Sequence, residues 1–443
     1  MENIYIFLKN VILDLKQESK QNNFFIFILI LLISIPLPFV VNNIALGLLI
    51  LHFFLNFKKT NFKTTQILIF PVAMFFIMAA SYFWSIDKQE TLQAIPKEIS
   101  LLLIPLMFMK TQISINQKNK LIKYFSYSMV IMAVFFLLRA IIRYLINYDS
   151  RVFFYHGEND YDYGLVPKIL NAIHVSVFVA VAFFYFFTKE IKLKSDLILS
   201  FFLAGFIFLL SSKNIILVFI FLVLTFYFFY SKASYKMRLR NLFIFSGIVI
   251  LSLSIGKIKT RFKEEFRNNT SNSINPNVLT TLPNGVHNIS IYEAWNKEQF
   301  TPNDYFPGTA FRVYQIRMFF ELLKDNSIFF KGFGLNASKG KLVEKENKYN
   351  LHKGYGNFNF HNQYIQNFAE LGVMGFIVLL VIIIANLKNA ITKKDFIHIS
   401  FAVLMISLFI TESFLWRQRG VTFFILMYCI FNSNLKSEKT ISL

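Results

Sequence analysis

The segment from His361 to Gly375 reads His-Asn-Gln-Tyr-Ile-Gln-Asn-Phe-Ala-Glu-Leu-Gly-Val-Met-Gly and holds the sharpest chemical pattern in the chain. A neutral imidazole can take a proton from a hydroxyl near neutral pH, which makes His361 a candidate general base. On an unbroken helix, Gly372 and Gly375 fall beneath His361 within about 40°. Two glycines on one stripe let a neighbouring helix approach closely, so the histidine is expected to project from the top of a tight helical seam. As bare physics, a structural interfacial histidine fits the same pattern.

Cations form a second group. Arg139 and Arg143 stand at i and i+4 on one helical face, Lys97 opens another apolar run, and Lys213 sits at the break Ser211-Ser212-Lys213-Asn214 between two more. Counted from the start of its run, the arginine pair lies about 27–33 Å along a helix axis, at the far membrane interface. Each of these residues alone is compatible with a snorkelling interfacial side chain. Together, on the face that positive-inside bias depletes of cations, they suit a lipid-linked phosphate or diphosphate.

The remaining titratable groups point to structure. His174 lies within an apolar run and reads as a hydrogen-bonded core residue, while His52 and His398 lie near the cytoplasmic ends of runs. Asp160 and Asp162 fit a solvated loop better than a metal site, and Gly332-Phe333-Gly334 fits a turn better than a phosphate loop. Glu412, Arg417 and Arg419, at the outer end of the last pair of runs, fit an ion pair and a site lining equally well. Cys429 is alone, so no disulfide or cysteine metal site is expected. No Asp-x-Asp pair stands in the first outer loop, so neither a metal nor another cofactor is expected in the chemistry.

Residues placed this way have to be carried by membrane helices. The 443-residue chain is 55% hydrophobic, with 56 phenylalanines and only 16% charged residues, more apolar surface than a soluble core of that size can bury. The expected fold is an all-α polytopic membrane protein with about twelve transmembrane helices. They are placed at 24–36, 38–55, 66–84, 98–109, 121–146, 168–188, 195–211, 213–230, 241–256, 366–387, 395–412 and 419–434. Pro36 and Pro38 mark the break between the first two.

The formal charge of +21 does not indicate a nucleic-acid partner, because its distribution is topogenic. Lys58, Lys59 and Lys63 share a face with Lys110, Lys118, Lys120 and Lys123, with Lys189, Lys192 and Lys194, with Lys232, Lys236, Arg238 and Arg240, and with Lys388, Lys393 and Lys394. Both termini fall on that face, which predicts an N-in, C-in protein. Met1–Asn23 contains Asp14 and Glu18 and no small-residue cleavage site, so the first span is expected to be a retained anchor.

The opposite face carries Asp87 and Glu90, the Tyr/Asp-rich loop Tyr148–Pro167, and one large loop between the ninth and tenth spans. The expected organisation is therefore 1–256 with the first nine helices, 257–365 as the large loop with amphipathic helices, and 366–443 with the last three helices and a tail. Within the loop, Asn268–Asn288 reads as irregular. Phe311–Lys324 reads as a helix capped by Thr309, with Ile316, Phe320 and Leu323 on its apolar stripe.

His361-Asn362, nine residues, then Gly372-x-x-Gly375 is similar to the signature of the O-antigen ligase/polymerase superfamily, bacterial glycan transferases that use undecaprenyl-diphosphate-linked donors. Upstream, Arg312-Val-Tyr-Gln-Ile-Arg317, then Asp325-Asn-Ser and Lys331-Gly-Phe-Gly334, resembles the family's arginine-bearing amphipathic helix and the Gly-x-Gly turn after it. The helix count, the orientation and the late large loop look like the same family. The resemblance implies that His361 activates an acceptor hydroxyl and that Arg312 lies near the lipid diphosphate.

It also implies that Arg139, Arg143 and Lys213, with Lys97 behind them, bind the diphosphate. Lys213-Asn-Ile-Ile-Leu217 departs from the family's Arg-x-x-x-Leu: lysine keeps the charge and loses the bidentate fork. By the same resemblance the enzyme is an inverting transferase of the bacterial inner membrane, its site facing the periplasm. Its acceptor is expected to be lipid A-core, as in a ligase. A repeat-unit polymerase and a protein O-oligosaccharyltransferase stand as alternatives, and a polysaccharide transporter is the rival from another class.

Overall fold

The structure is a computed structural model and describes residues 2–57, 66–155, 164–254, 256, 259 and 287–434. Asp160, Asp162, Lys58, Lys59, Lys63 and the stretch 268–286 lie outside the described residues. The apolar runs are helical. An amphipathic α1 (Glu2–Gln21) precedes α2 (Asn23–Ser34) and α3 (Phe39–Leu55), and the last two part at Pro36 and Pro38, where the ring removes the N–H a continuing helix needs. Next come α4 (Gln66–Ala80) and α5 (Lys88–Ala94), the latter capped by Asp87, whose carboxylate accepts from the Glu90 N–H. A 3₁₀ turn over Ile95–Glu98 leads into α6 (Ser100–Lys110).

The 33-residue α7 (Ile115–Asn147) starts from a reciprocal capping box between Ser114 and Gln117. It is followed by α8 (Ala172–Phe187), α9 (Lys194–Leu210), α10 (Lys213–Thr225) and α11 (Tyr235–Ser254). Gln66–Phe83, Lys88–Lys110, Ile115–Asn147, Lys213–Tyr230 and Gln363–Thr392 are long and apolar enough to cross a membrane, and α2, α3 and α8 are shorter apolar helices. The protein is a mostly helical membrane protein.

A second, smaller core lies in residues 287–362. Two short strands, β1 (His287–Asn288) and β2 (Asp304–Tyr305), pair in parallel, so the last two residues of the stretch expected to be irregular form a strand. Around them lie α12 (Ile291–Asn296), α13 (Gly308–Asp325) and α14 (Lys339–Lys348). The chain then returns through α15 (Gln363–Thr392), α16 (Phe396–Thr411) and α17 (Gln418–Asn432).

Helix α13 corrects the amphipathic stripe read from the sequence. It starts at Gly308, with Pro307 rather than Thr309 in the cap position. Its buried face is Tyr314, Met318 and Leu322 with Gln315 and Phe319, whereas Phe320 is 53% exposed. The face is rotated because Tyr314 packs against Phe300 and Phe306, residues from a segment that periodicity alone does not bring in. Polar contacts hold α13 to α14: Glu321 accepts from Lys345 at 2.7 Å, from Tyr349 at 2.6 Å and from Arg317 at 2.9 Å.

The two ends of the helical bundle differ in chemistry. One end gathers the lysines of the short loops and pairs several of them: Lys118 with Asp395, Lys120 with Glu18 and Lys189 with Asp196, at 2.6, 2.6 and 2.7 Å. The other end meets the unit formed by residues 287–362 and carries His361.

Candidate functional site

His361 does not sit on the helix that follows it. It precedes the first residue of α15, Gln363, and its backbone takes φ 47°, in the left-handed region. Such a conformation in a non-glycine residue costs of order 1–3 kcal/mol and persists only where the surroundings enforce it. Here the Asn359 carboxamide oxygen accepts from the His361 N–H at 3.0 Å. Asn362 caps the helix, its oxygen accepting from the N–H groups of Tyr364 and Ile365. The motif therefore builds a turn that presents the imidazole, and α15 starts behind it.

The glycines act differently from the expectation of a straight seam. The backbone at Gly372 leaves the helical region, with φ 67° and ψ −166°, so α15 is kinked there and no stripe connects Gly372 and Gly375 to His361. What enters the kink is the turn Phe329–Gly334. Val373 donates to the Phe329 carbonyl, while Phe333 and Gly334 donate to the carbonyls of Ala369 and Glu370, each at 2.8 Å. A methyl group at Gly372 would overlap the Phe330 carbonyl, and one at Gly332 (φ 68°) would overlap the Glu370 carbonyl. The two glycines are thus a mutual fit between a turn and a helix, in place of the expected helix–helix contact. At Gly375 a methyl would meet the Leu371 side chain of the same helix.

The polar residues between His361 and the kink stitch α15 to the segment after α16. Gln363 accepts from the Leu415 N–H at 2.7 Å, and Gln366 accepts from the Phe360 N–H and, more weakly, from the Ser413 hydroxyl. Gln366 also donates to Glu370. These amides are buried, so each lost partner would leave an uncompensated polar group, a penalty of about 1–3 kcal/mol. Their effect is to fix Ser413–Leu415, and with it Glu412, against His361.

Glu412 lies one residue beyond the end of α16 and is the hub. One of its oxygens faces His361 Nδ1 at 3.4 Å and the other faces Arg312 Nη2 at 3.4 Å. Arg312 also donates from Nε to the Thr411 carbonyl at 2.9 Å. Burial pushes the Glu412 carboxyl up, but its contact with His361, together with the charges of His361, Arg312 and His174, outweighs burial and holds it below the ordinary glutamate value. Glu412 is therefore an anion that orients a cation and an imidazole at once. Of the two readings open for it in the sequence, ion pair and site lining, the geometry supports both.

Lys213 opens α10, two residues after Ser211, whose φ of 53° makes the break. Its neighbour Asn214 donates to the Ser407 carbonyl and to the Thr411 hydroxyl, both at 2.8 Å, so the start of α10 packs against the end of α16 that precedes Glu412. Arg143, near the end of α7, donates to the Gly164 carbonyl at 3.2 Å. That loop continues to Val166, which donates to the Tyr155 carbonyl, and Tyr155 donates to the Leu209 carbonyl, two residues before Ser211. Arg139 lies one turn before Arg143 and is half-buried. The arginine pair and Lys213 therefore belong to the same end of the bundle as His361. Lys97 is exposed in the 3₁₀ turn, and among the described contacts none carries it to His361.

The other sequence candidates have structural settings. Arg419 is buried, donates to the Leu37 and Ile169 carbonyls and covers the Phe39 ring at 4.3 Å, so it clamps helix ends together. Arg417 is exposed. Buried His174 packs on the Phe414 ring at 4.4 Å, and Cys429 is buried within α17. Gly332 and Gly334 both take positive φ in a turn, as their spacing suggested. Phe311 and Phe358, which sequence reasoning passed over, place their rings 5.5 and 5.8 Å from the His361 ring.

Residues 198–380 match the family described as O-antigen ligase, a stretch that contains Lys213, Arg312, His361 and both glycines of the kinked helix. None of the curated proteins compared matches the chain. Over that stretch the chain is similar to the O-antigen ligase family, which supports the resemblance to the O-antigen ligase/polymerase superfamily of glycosyl-transferring membrane proteins.

Proposed function

We propose that this protein transfers a glycan from undecaprenyl diphosphate to a hydroxyl of lipid A-core, as an O-antigen ligase of the bacterial inner membrane. The observation that carries the reading is Glu412 held between Arg312 and His361. With Nδ1 turned to a carboxylate, His361 offers Nε2 to the acceptor, and the imidazolium that forms is stabilised by Glu412. The acceptor oxygen attacks the anomeric carbon as the carbon–oxygen bond to the diphosphate breaks. The hydroxyl proton passes to His361 and then to solvent, and undecaprenyl diphosphate leaves with its added negative charge.

Positive groups aimed at that growing charge lower the barrier. Arg312 has five N–H donors, and its contacts with Thr411 and Glu412 use Nε and Nη2. Lys213, Arg139 and Arg143 add charge on the same end of the bundle, with Lys97 as an outlying contributor. Side chains carry the whole electrostatic load in this scheme, so no metal or cofactor takes part, and attack opposite the leaving group inverts the anomeric centre. The scheme requires about twelve membrane crossings with both termini in the cytoplasm and the His361 end in the periplasm.

The test is a deletion strain complemented with wild type or His361→Ala, its lipopolysaccharide resolved on a gel. The expected result is loss of all polymer from lipid A-core in the variant, with lipid-linked polymer accumulating at normal protein levels. A single-repeat ladder would reassign the protein as a polymerase. Wild-type polymer attachment in the variant would remove the assignment.

A further inference from the structure

Phe358 is 49% exposed beside His361, on the way into the site rather than in a core. Phe311 and Phe358 flank the imidazole on this side, and Tyr355 packs on both of them. Phe311 meets the Phe358 ring edge-on at 76°, and Tyr355 meets it at 55°. Neither lies parallel on Phe358, and the ring keeps about half of its surface open. Phe311 and Tyr355 are half-buried against Phe306 in the core of the 287–362 unit and hold the third ring from behind.

We infer that Phe358 is the stacking platform for the acceptor sugar, setting a pyranose ring so that one of its hydroxyls reaches His361. This rests on the transferase reading above. The C–H bonds on the flatter side of a pyranose carry partial positive charge and match the negative face of an aromatic quadrupole. The hydroxyls then point outward around the ring rim. The neighbours of Phe358 suit that geometry: Asn357 is exposed, and half-buried Asn359 holds the His361 N–H through its carboxamide oxygen. An acyl chain is the competing occupant of an exposed ring, but Phe358 lies in Asn357-Phe358-Asn359, with His352 and Lys353 exposed a few residues before it. Hydrocarbon would strip water from those amides and give nothing back.

The experiment uses the purified full-length protein with a fluorescent undecaprenyl-diphosphate oligosaccharide and purified lipid A-core, comparing wild type, Phe358→Ala, Phe358→Leu and Phe358→Trp. The acceptor KM of the Ala and Leu variants should rise about tenfold, the cost of one aromatic contact, with kcat and donor KM within about twofold of wild type. The Trp variant should restore the acceptor KM. Phe320→Ala, which removes a 53% exposed ring on α13, should change neither constant.

If Leu restores as well as Trp, the position needs only apolar bulk and the sugar platform is wrong. A parallel rise in donor KM would assign the ring to the lipid-linked substrate instead, and an unchanged acceptor KM would end the proposal. Should the Ala variant fail to fold, the comparison of Leu with Trp decides alone. Full activity of His361→Ala in the same assay would overturn the transferase reading itself, an outcome separable from all of these.

Discussion

A carboxylate that faces both a guanidinium and an imidazole ties two functions to one side chain, and Glu412 is placed that way. Replacing it with glutamine removes the charge that orients His361 and stabilises its protonated form, while keeping the shape. Glu412→Gln should lower kcat by about 10²-fold with the donor KM little changed, measured in the lipid A-core transfer assay. Glu412→Asp should recover part of that loss, because the charge returns at a longer reach. The pH profile gives a second readout. A carboxyl held below its ordinary value contributes fully above that value, and its contribution is lost as the pH falls through the depressed one. Glu412 therefore stays charged wherever the imidazole of a general base is neutral, so the activity ratio of wild type to the Gln variant should stay constant between about pH 6 and 8. The sequence could place His361 and Arg312, because a local motif and an arginine-bearing helix mark them. It left Glu412 undecided, since no spacing rule joins residues so far apart in the chain, and the link exists only once Gln363 and Gln366 fix the segment after α16.

At the scale of elements, the interlock between the turn Phe329–Gly334 and the kink of α15 sets where His361 can stand. Gly372→Ala and Gly332→Ala each combine a positive φ with backbone overlap, so each should destabilise the folded state by at least about 2 kcal/mol and abolish transfer in a detergent melt and activity assay. Gly205→Ala, where a methyl meets nothing within 4 Å, is the control and should leave both unchanged. The α13–α14 junction makes a separate prediction. Burial pushes the Glu321 carboxyl up, and hydrogen bonds from Lys345 and Tyr349, the Lys345 charge and the bond from Arg317 outweigh it and lower it below its ordinary value. Its contribution is present above that ordinary value and fades as the pH falls through the lowered one. Glu321→Gln should cost about 2 kcal/mol at neutral pH, read as faster proteolysis of the 287–362 unit, and the difference from wild type should narrow in acid. The helices themselves were legible from apolar runs, caps and prolines. The kink was not, because a glycine inside an apolar stretch reads as a helix–helix contact until the turn that fills it is known. The buried face of α13 was misread for the same reason: its partners Phe300 and Phe306 come from an irregular segment with no periodicity of its own.

On the scale of the whole molecule, the charge asymmetry that the sequence offers as topology becomes a spatial separation of two ends. Lys118, Lys120 and Lys189 pair with acids at one end, while His361, Arg312 and Glu412 gather at the other. Pairing lowers the solvation cost of lysines beside a membrane without erasing their excess, and that excess is what retains a loop in the cytoplasm. The proposed orientation, with the lysine-rich end in the cytoplasm and the His361 end in the periplasm, is open to direct measurement. Cys429 is buried and alone, so Cys429→Ala supplies a background with no native thiol for surface labelling. Asn296→Cys, at the end of α12, and Lys394→Cys, in the turn between α15 and α16, then report opposite ends. In cells with a permeabilised outer membrane, an impermeant maleimide should label the Asn296 variant at once and the Lys394 variant only after lysis. The reverse order would place His361 in the cytoplasm, where a periplasmic acceptor cannot reach it. Labelling of both sites in intact cells would mean that the two ends do not lie on opposite sides of one membrane.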